Sequence, residues 1–380
     1  MKIVIYSVVL NQHQAPVADE LWEITHHEFA FVELTNLGDT KGGTEDYSGR
    51  PYLIRAWASP EANAKAMELA RTAKCCIFSG VDALPYQKER MKLGLLSFDM
   101  GERWLKRGIM SFASPRLWKW LTAYYLNGWR NMPLYKLCCS SFCAGDHYNM
   151  GTFNNKCYKW GYFTKVDNDF EVEAHEQGAS TSEITPLMWC ARFLKLKHPE
   201  LPVQLAARLK ADGYKFVLDM FGSGDELEST KKLAERLNVS DVVHFCGNLP
   251  NDQILEAMKK HSIFLFTSDK NEGWGAVANE SMSNGCVLVA SDAIGSTPYL
   301  VKHKETGMIF RSCDLDSLYE QVKYLLDNPD ACKRISKAGR ESMVKLWSPA
   351  NAAKSLLQLI EDLKAGRETS IKEGPCSVAK

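Results

Sequence analysis

Four side chains stand where they can do chemistry on an elongated anionic ligand. Two are carboxylates in NEGWGAVANESM (residues 271–282), Glu272 and Glu280, separated by seven residues. A close acid–base dyad is excluded by spacing, because eight helical steps rise ~12 Å. The two carboxylates therefore suit different parts of one ligand. Gly273 and Gly275 let the loop between them turn tightly and bring backbone near that ligand. The helix that follows, through Ala276, Val277, Ala278, Glu280 and Met282, offers unpaired N–H groups and the positive end of its dipole in its first turn. The other two are cations, Arg192 and Lys197, in CARFLKLKHPEL. They leave the end of a predicted strand beside the expected anion site, where a cationic clamp on a diphosphate has a use.

The elements that must position these groups are strands alternating with helices. In the first half, apolar β-rich runs fall at 2–9, 28–34, 75–79, 93–98 and 135–142, with helices starting at Pro16 and spanning 61–73. Residues 166–185 are polar and acidic, a linker composition. A second alternation follows, with strands at 186–193, 216–222, 242–247, 262–268 and 286–291 and a helix at 315–327. Near-continuous apolar strands between helices mean parallel sheets covered on both faces. The expected fold class is α/β: two doubly wound, Rossmann-like domains, 1–165 and 186–346, facing a cleft. A helix over 347–366 packs back toward the first domain, and residues 367–380 form a disordered tail. Ligands bind such sheets at the carboxyl ends of their strands.

A chain of 380 residues exceeds one ordinary core, which agrees with two domains. Its formal net charge of zero excludes nucleic-acid binding by bulk charge. The 12 cysteines lie mostly in apolar runs; Cys139 and Cys143 form C-x₃-C with no second pair, so zinc is not expected. Reduced, buried thiols in a cytoplasmic protein are the reading. No apolar run reaches the ~18 residues that a spanning helix needs.

At this point the second half resembles the donor-binding domain of glycosyltransferase family 4, retaining enzymes of the GT-B fold (glycosyl transferases group 1). The segments that carry the resemblance are ARFLKLK (191–197), MFGSGDELE (220–228), VHFCGNLP (243–250), TSDKNEGWGAVANESMSNGCVLVAS (267–291), GSTPYLV (295–301) and ETGMIF (305–310), in the family's order. The resemblance implies that Glu280 holds the ribose hydroxyls of a nucleotide-sugar. It places Glu272 on the transferred sugar, assisted by backbone N–H groups along Gly273, Trp274, Gly275 and Ala276, and Arg192 and Lys197 on the departing diphosphate. Asn248 and Leu249 join the donor site. UDP is the favoured base. No protein nucleophile, organic cofactor or metal is implied, because a front-face substitution lets the leaving phosphate take the acceptor's proton. The family often has apolar-plus-alanine text where this chain has ANESM; Glu280 is kept, and Asn279 and Ser281 are local variation.

The first half carries less. NQHQAPV (11–17) follows the first strand and lacks the glycines many relatives have there. It places Asn11, Gln12, His13 and Gln14 at a sheet edge where loops face ligands. N-x-H-Q-x-P in this place resembles a subset of bacterial cell-surface polysaccharide glycosyltransferases, which implies that His13 meets the donor sugar or the acceptor hydroxyl. Ser79, Gly80, Asp82, Ser97, Phe98, Asp99, Glu102, Asp146 and His147 sit at comparable strand ends, and each alone reads as loop chemistry. VDNDF (166–170) holds a D-x-D, the metal motif of the other glycosyltransferase fold, but its polar surroundings make it a solvated loop. Residues 103–130 mix Arg103, Lys106, Arg107, Arg116, Lys119 and Arg130 with Trp104, Trp118, Trp120 and Trp129. Two readings stand equal: a peripheral contact with the inner face of the plasma membrane, or a helical pair whose tryptophans lie in the core.

The expected function is transfer of a hexose from a nucleotide-diphosphate sugar to a glycan acceptor, including a lipid-linked one, in cell-surface polysaccharide synthesis. Two alternatives remain open. A sugar-nucleotide epimerase of the same fold would convert donor without acceptor, and a non-catalytic nucleotide-sugar-binding subunit would bind donor without turnover.

Overall fold

The computed structural model describes residues 2–36, 47–167, 170 and 184–380. The chain divides into two compact units, Met1–Lys165 with Trp347–Lys380, and Val166–Leu346. Most of the predicted linker, including Asp169 of the D-x-D, lies outside the described residues. Asp167 of that motif accepts a hydrogen bond from Lys259 Nζ at 2.9 Å.

Among the described residues the first unit holds seven parallel strands: β1 (Ile3–Ser7), β2 (Phe29–Glu33), β3 (Leu53–Arg55), β4 (Cys75–Ser79), β5 (Ser97–Gly101), β6 (Leu134–Cys138) and β7 (Cys157–Lys159). Their order is β3-β2-β1-β4-β5-β6-β7. β1 and β2 are buried at every position, as a sheet covered on both faces requires. Helices α1 (Ala15–Ile24), α2 (Pro60–Thr72), α3 (Leu84–Lys92), α4 (Pro115–Leu126) and α5 (Cys143–Asn149) cross between them. α1 opens with proline in its first turn, and Ser59 caps α2 by accepting from the Ala62 amide.

The strand predicted at 93–98 lies four residues later. Leu93 is 53% exposed just past the end of α3. The buried Arg90 guanidinium donates to the carbonyls of Ala70, Ala73 and Leu96. That bracket holds 93–96 as a connection, and pairing of β5 with β4 begins at Ser97.

Residues 367–380, expected as a disordered tail, instead pack on the first unit. Val378 bridges antiparallel to Tyr158 in β7, the Cys376 and Ala379 amides donate to Lys159 and Cys157, and the Cys376 and Ala379 side chains are buried. The tail thus covers an edge strand that would otherwise present unpaired backbone groups. Asp362, near the end of the helix Pro349–Lys364, holds the turn. Its carboxyl is pulled down to about 2 first by the Ser370 amide and then by Arg367 and the Ser370 hydroxyl. Short-range patterning missed this because two small apolar residues carry no periodicity. Deleting 367–380 is expected to lower the stability of the first unit by on the order of 2 kcal/mol and to raise light scattering on heating. An unchanged melt with no added scattering contradicts it.

Segment 103–130 is divided by depth. Trp120 and Trp129 are buried in a cluster with Leu117, Leu121 and Phe153, and Trp104 packs against it. Trp118 is 54% exposed, Leu126 80% and Ile109 84%. The packed reading therefore holds for Trp120 and Trp129, and an exposed apolar surface remains beside Arg107, Arg116 and Lys119.

Among the described residues the second unit holds six parallel strands: β8 (Thr185–Cys190), β9 (Phe216–Phe221), β10 (Val243–Gly247), β11 (Ile263–Phe266), β12 (Val287–Ser291) and β13 (Met308–Phe310), in the order β10-β9-β8-β11-β12-β13. Its core runs through Leu187, Trp189, Leu218, Leu265 and Val289. Sequence reading missed the helix Pro329–Lys345, whose exposed side is densely charged.

Candidate functional site

In the second unit the chain works outward from β8 in one direction through β9 and β10, then in the other through β11 to β13. The direction reverses between β8 and β11. At such a switch point the two following loops diverge and leave a crevice at the strand ends. All four chemically distinctive side chains come from these two loops and the helix after them. Arg192 and Lys197 follow β8; Glu272 and Glu280 follow β11.

The loop after β8 is held rigidly. Gly222 and Gly224, at φ +130° and +147°, lie directly against it: a Cβ on either would fall 2.0 Å from the Ala191 oxygen or 2.5 Å from the Phe193 oxygen. Phe193 N donates to Ser223 O at 2.8 Å. FGSGD was visible as a motif, but its role as the bed of the Arg192 loop appears only in three dimensions. Arg192 itself is exposed and makes no ion pair among the described residues.

The two loops are tied to each other. Thr267 Oγ1 donates to Lys197 O at 2.7 Å and accepts from Trp189 Nε1 at 3.0 Å. Asp269 N donates to Leu196 O at 2.9 Å. Across this seam Lys197 and Glu272 form an ion pair with both side chains mostly covered, and Ser268 Oγ donates to the same Glu272 oxygen at 3.1 Å. The sequence suggested separate ligand contacts for these two residues; the fold also makes them each other's partner.

Glu280 is the fourth residue of the helix Val277–Ser283, one turn in. It is 8% exposed, and its carboxylate has no hydrogen-bond partner among the described residues. Burial alone raises its pKa to about 7. A buried acceptor of this kind is costly unless a ligand donates to it.

Gly275 sits at φ +76°, and a Cβ there would lie 2.2 Å from the Phe266 ring, so only glycine fits. Gly273 is buried, and Ala276 precedes the helix with no side-chain cap. Trp274 contributes backbone only. Its indole is 1% exposed and donates to Asn279 Oδ1 at 2.8 Å, and its carbonyl accepts from Ser296 Oγ at 2.6 Å. Asn279, read from sequence as local variation, is thus the buried anchor of that tryptophan. Asn248 and Leu249 follow β10, the edge strand two places from β8, so they stand apart from the four charged residues along the same sheet edge.

The first unit repeats the switch-point geometry between β1 and β4. Here His13, Ser79, Gly80, Glu102 and Tyr162 line a pocket of about 250 Å³. The His13 amide donates to Asn11 Oδ1 at 3.0 Å, and its ring stacks on Tyr162 with centroids 5.9 Å apart. Its Nδ1 is buried and has no partner among the described residues. Burial lowers the ring's pKa to about 4, so the imidazole is neutral near pH 7.

The other strand-end residues are engaged structurally. Asp99 pairs with buried Lys136 and accepts from Trp120 Nε1 at 3.3 Å. Asp146 binds Arg103 at 3.0 Å and the Leu105 amide at 2.8 Å. Buried His147 meets Thr152 Oγ1 at 2.8 Å, Ser97 accepts from Arg90 Nε at 3.0 Å, and Asp82 accepts from Thr35 at 3.2 Å.

Residues 174–342 match the family model described as glycosyl transferases group 1. An uncharacterized glycosyltransferase of Bacillus subtilis, YqgM, is 29% identical over 170 residues, 45% of this chain and 47% of its own length. A GDP-mannose-dependent alpha-(1-6)-phosphatidylinositol monomannoside mannosyltransferase of Mycobacterium tuberculosis is 27% identical over 166 residues, 42% of either chain. The matches thus span less than half the length of these relatives. Anabaena HepE in complex with UDP superposes with a TM-score of 0.70 at 13% identity, covering 96% of this chain and 100% of that one. A Rickettsia africae glycosyltransferase does so at 0.69 and 13%, covering 96% and 98%. At these identities the likeness shows the fold, which is GT-B.

Proposed function

Because residues 174–342 match the family model of glycosyl transferases group 1, we propose that the chain is a retaining glycosyltransferase that moves a hexose from a nucleotide-diphosphate sugar to a glycan acceptor. The observation that carries this reading is the convergence of Arg192, Lys197, Glu272 and Glu280 on the β8/β11 switch point. The ribose hydroxyls donate to the buried Glu280 carboxylate, which otherwise has no partner among the described residues. Arg192 and Lys197 hold the diphosphate, with the backbone amides near Gly275 and Ala276. Lys197 exchanges Glu272 for phosphate oxygens, and the freed Glu272 carboxylate accepts from sugar hydroxyls.

In the transfer step the bond from the anomeric carbon to the diphosphate oxygen breaks, and a bond from the acceptor oxygen to that carbon forms on the same face. The acceptor's proton passes to the departing phosphate. Charge on that phosphate is met by two cations, so no metal is required. Neutral His13 hydrogen-bonds the acceptor hydroxyl in the first unit's pocket.

UDP as the base is supported by the UDP complex of HepE, whereas the mycobacterial relative is named for GDP-mannose. The exposed Ile109, Met110, Trp118 and Leu126 beside basic residues support a peripheral membrane contact and a lipid-linked acceptor in cell-surface polysaccharide synthesis, on the cytoplasmic side. No helix among the described residues is long and apolar enough to cross a membrane.

The test is a thermal-shift panel of UDP-, GDP- and ADP-sugars, followed by transfer assays on glycan and lipid extracts. A ligand at a hundred times its Kd adds about 2.7 kcal/mol of stability, several degrees of melting temperature. One base is expected to stand out. No shift with any of them removes the reading, and conversion of donor without acceptor replaces it with an epimerase.

A further inference from the structure

A second pocket in the first unit, about 460 Å³, borders the one that holds His13. The two share Gly80, Met100, Gly101 and Glu102, so these residues form their common border. The volume is that of a small-molecule site. Its wall is aromatic, with Trp104 and Trp120 centroids 6.2 Å apart.

The charges around it are unequally engaged. Asp99 takes Lys136 and Trp120, Glu102 takes Lys106 and Tyr162, and Asp82 takes Thr35. Arg103 is paired with Asp146. That leaves Arg116 and Lys119, both lining the pocket, with no ion pair among the described residues. They come from the first two turns of α4, a 12-residue helix whose first turn has no side-chain cap. Deeper in, Gln87 is 3% exposed and lines the same space, and its Nε2 is buried with no acceptor among the described residues. A buried amide donor left without a partner costs about 1–3 kcal/mol unless a ligand supplies an acceptor.

We propose that this pocket binds a phosphorylated acceptor. Its phosphate lies at Arg116 and Lys119, an oxygen of its body accepts from Gln87, its carbon framework packs on Trp104 and Trp120, and its reacting hydroxyl reaches the His13 pocket. Arg116 and Lys119, with no ion pair among the described residues, offer more N–H donors and more positive charge than a single two-oxygen carboxylate answers, whereas a phosphate monoester, with three terminal oxygens and a charge near −2, matches both cations. The inference rests on the glycosyltransferase reading above, since it names the acceptor class of that enzyme. The phosphate can belong to a soluble sugar phosphate or to a lipid headgroup.

Calorimetric titration of the full chain with glucose 6-phosphate, against glucose, tests the soluble source. Co-sedimentation with phosphatidylcholine vesicles, with and without phosphatidic acid, whose phosphate is a monoester, tests the lipid source. In one of these arms the probe with a phosphate monoester is expected to bind, and glucose or phosphatidylcholine alone to bind far less. The double variant Arg116→Gln/Lys119→Gln is expected to weaken that binding ~10-fold or more. Gln87→Met, nearly isosteric and neutral, weakens it several-fold while leaving the surface charge intact; Gln87→Glu, tested beside it, places a negative charge in the pocket and weakens it further.

Binding that needs the two cations but ignores both Gln87 variants is surface attraction, and overturns the pocket. So does equal binding of glucose, or no binding in either arm. The nucleotide-sugar panel on the wild-type chain separates the two readings. A donor that binds without any phosphate probe defeats only this inference; a phosphate probe that binds without any donor defeats only the enzyme assignment.

Discussion

Glu280→Gln is expected to weaken nucleotide-sugar binding ~100-fold while making the free protein more stable at pH 8. The two effects have one cause. The Glu280 carboxyl is buried, and burial raises its pKa to about 7 from the ordinary glutamate value of 4.5. Between those values the folded protein keeps a proton that the unfolded chain has lost, so stability falls as pH rises from about 4.5 to about 7 and is flat above. A shift of this size corresponds to on the order of 3 kcal/mol. Glutamine does not ionise and removes that penalty, so the melting temperature rises relative to wild type at pH 8 and changes little at pH 4.5. The same substitution replaces a carboxylate that accepts two ribose hydroxyls with an amide that accepts one well. Hydrogen bonds to a charged group contribute about 1.5–3 kcal/mol each, which sets the scale of the lost affinity. In the wild type, donor affinity rises with pH through about 7, and binding releases a proton, seen as a buffer-dependent heat at pH 6. A glutamine variant that binds donor as tightly as wild type, or melts lower at pH 8, refutes the assignment.

Arg192→Ala and Lys197→Ala are each expected to lower transfer 10²–10³-fold, the usual consequence of removing one group that meets charge developing in the transition state. Their effects on stability separate them. Arg192 is exposed and has no ion-pair partner among the described residues, so its loss leaves the melt within about 0.5 kcal/mol of wild type. Lys197 is paired with Glu272, so its removal leaves a mostly covered carboxylate with Ser268 as its remaining donor and destabilises the unit measurably. Arg192→Lys restores part of the rate, since the charge returns without the planar fork. Steady-state transfer and thermal melts on the same preparations decide it: full activity in both alanine variants sinks the proposed mechanism, whatever their melts show.

Much of the fold was legible because its signals are local. Buried parallel strands read as continuous apolar runs, and Pro16 marks a helix start. The candidate donor site was legible for a related reason. In a parallel sheet every strand delivers its following loop to the same edge, so an arginine after β8 and a glutamate after β11 arrive on one side whatever the intervening chain does. The failures were non-local. Two small residues in the tail close the edge of β7, and Leu93 resembles a strand residue until Arg90 is seen bracketing the segment after it. Trp118 and Trp120 look alike in sequence, yet α4 turns one to solvent and the other to the core.

The sequence by itself determined the two alternating halves, the loops that carry Arg192, Lys197, Glu272 and Glu280, and the need for glycine where those loops turn. Local periodicity and backbone sterics suffice for that. Only the tertiary structure decided that Lys197 meets Glu272 across 75 positions of chain, that Glu280 is dry enough to hold its proton near neutrality, and that Trp274 faces the core. It also decided that Gln87, whose Nε2 has no acceptor among the described residues, lines one pocket with Arg116 and Lys119. Strand order sets which distant groups meet, and desolvation sets what their charges cost; neither quantity is a property of any short stretch of chain.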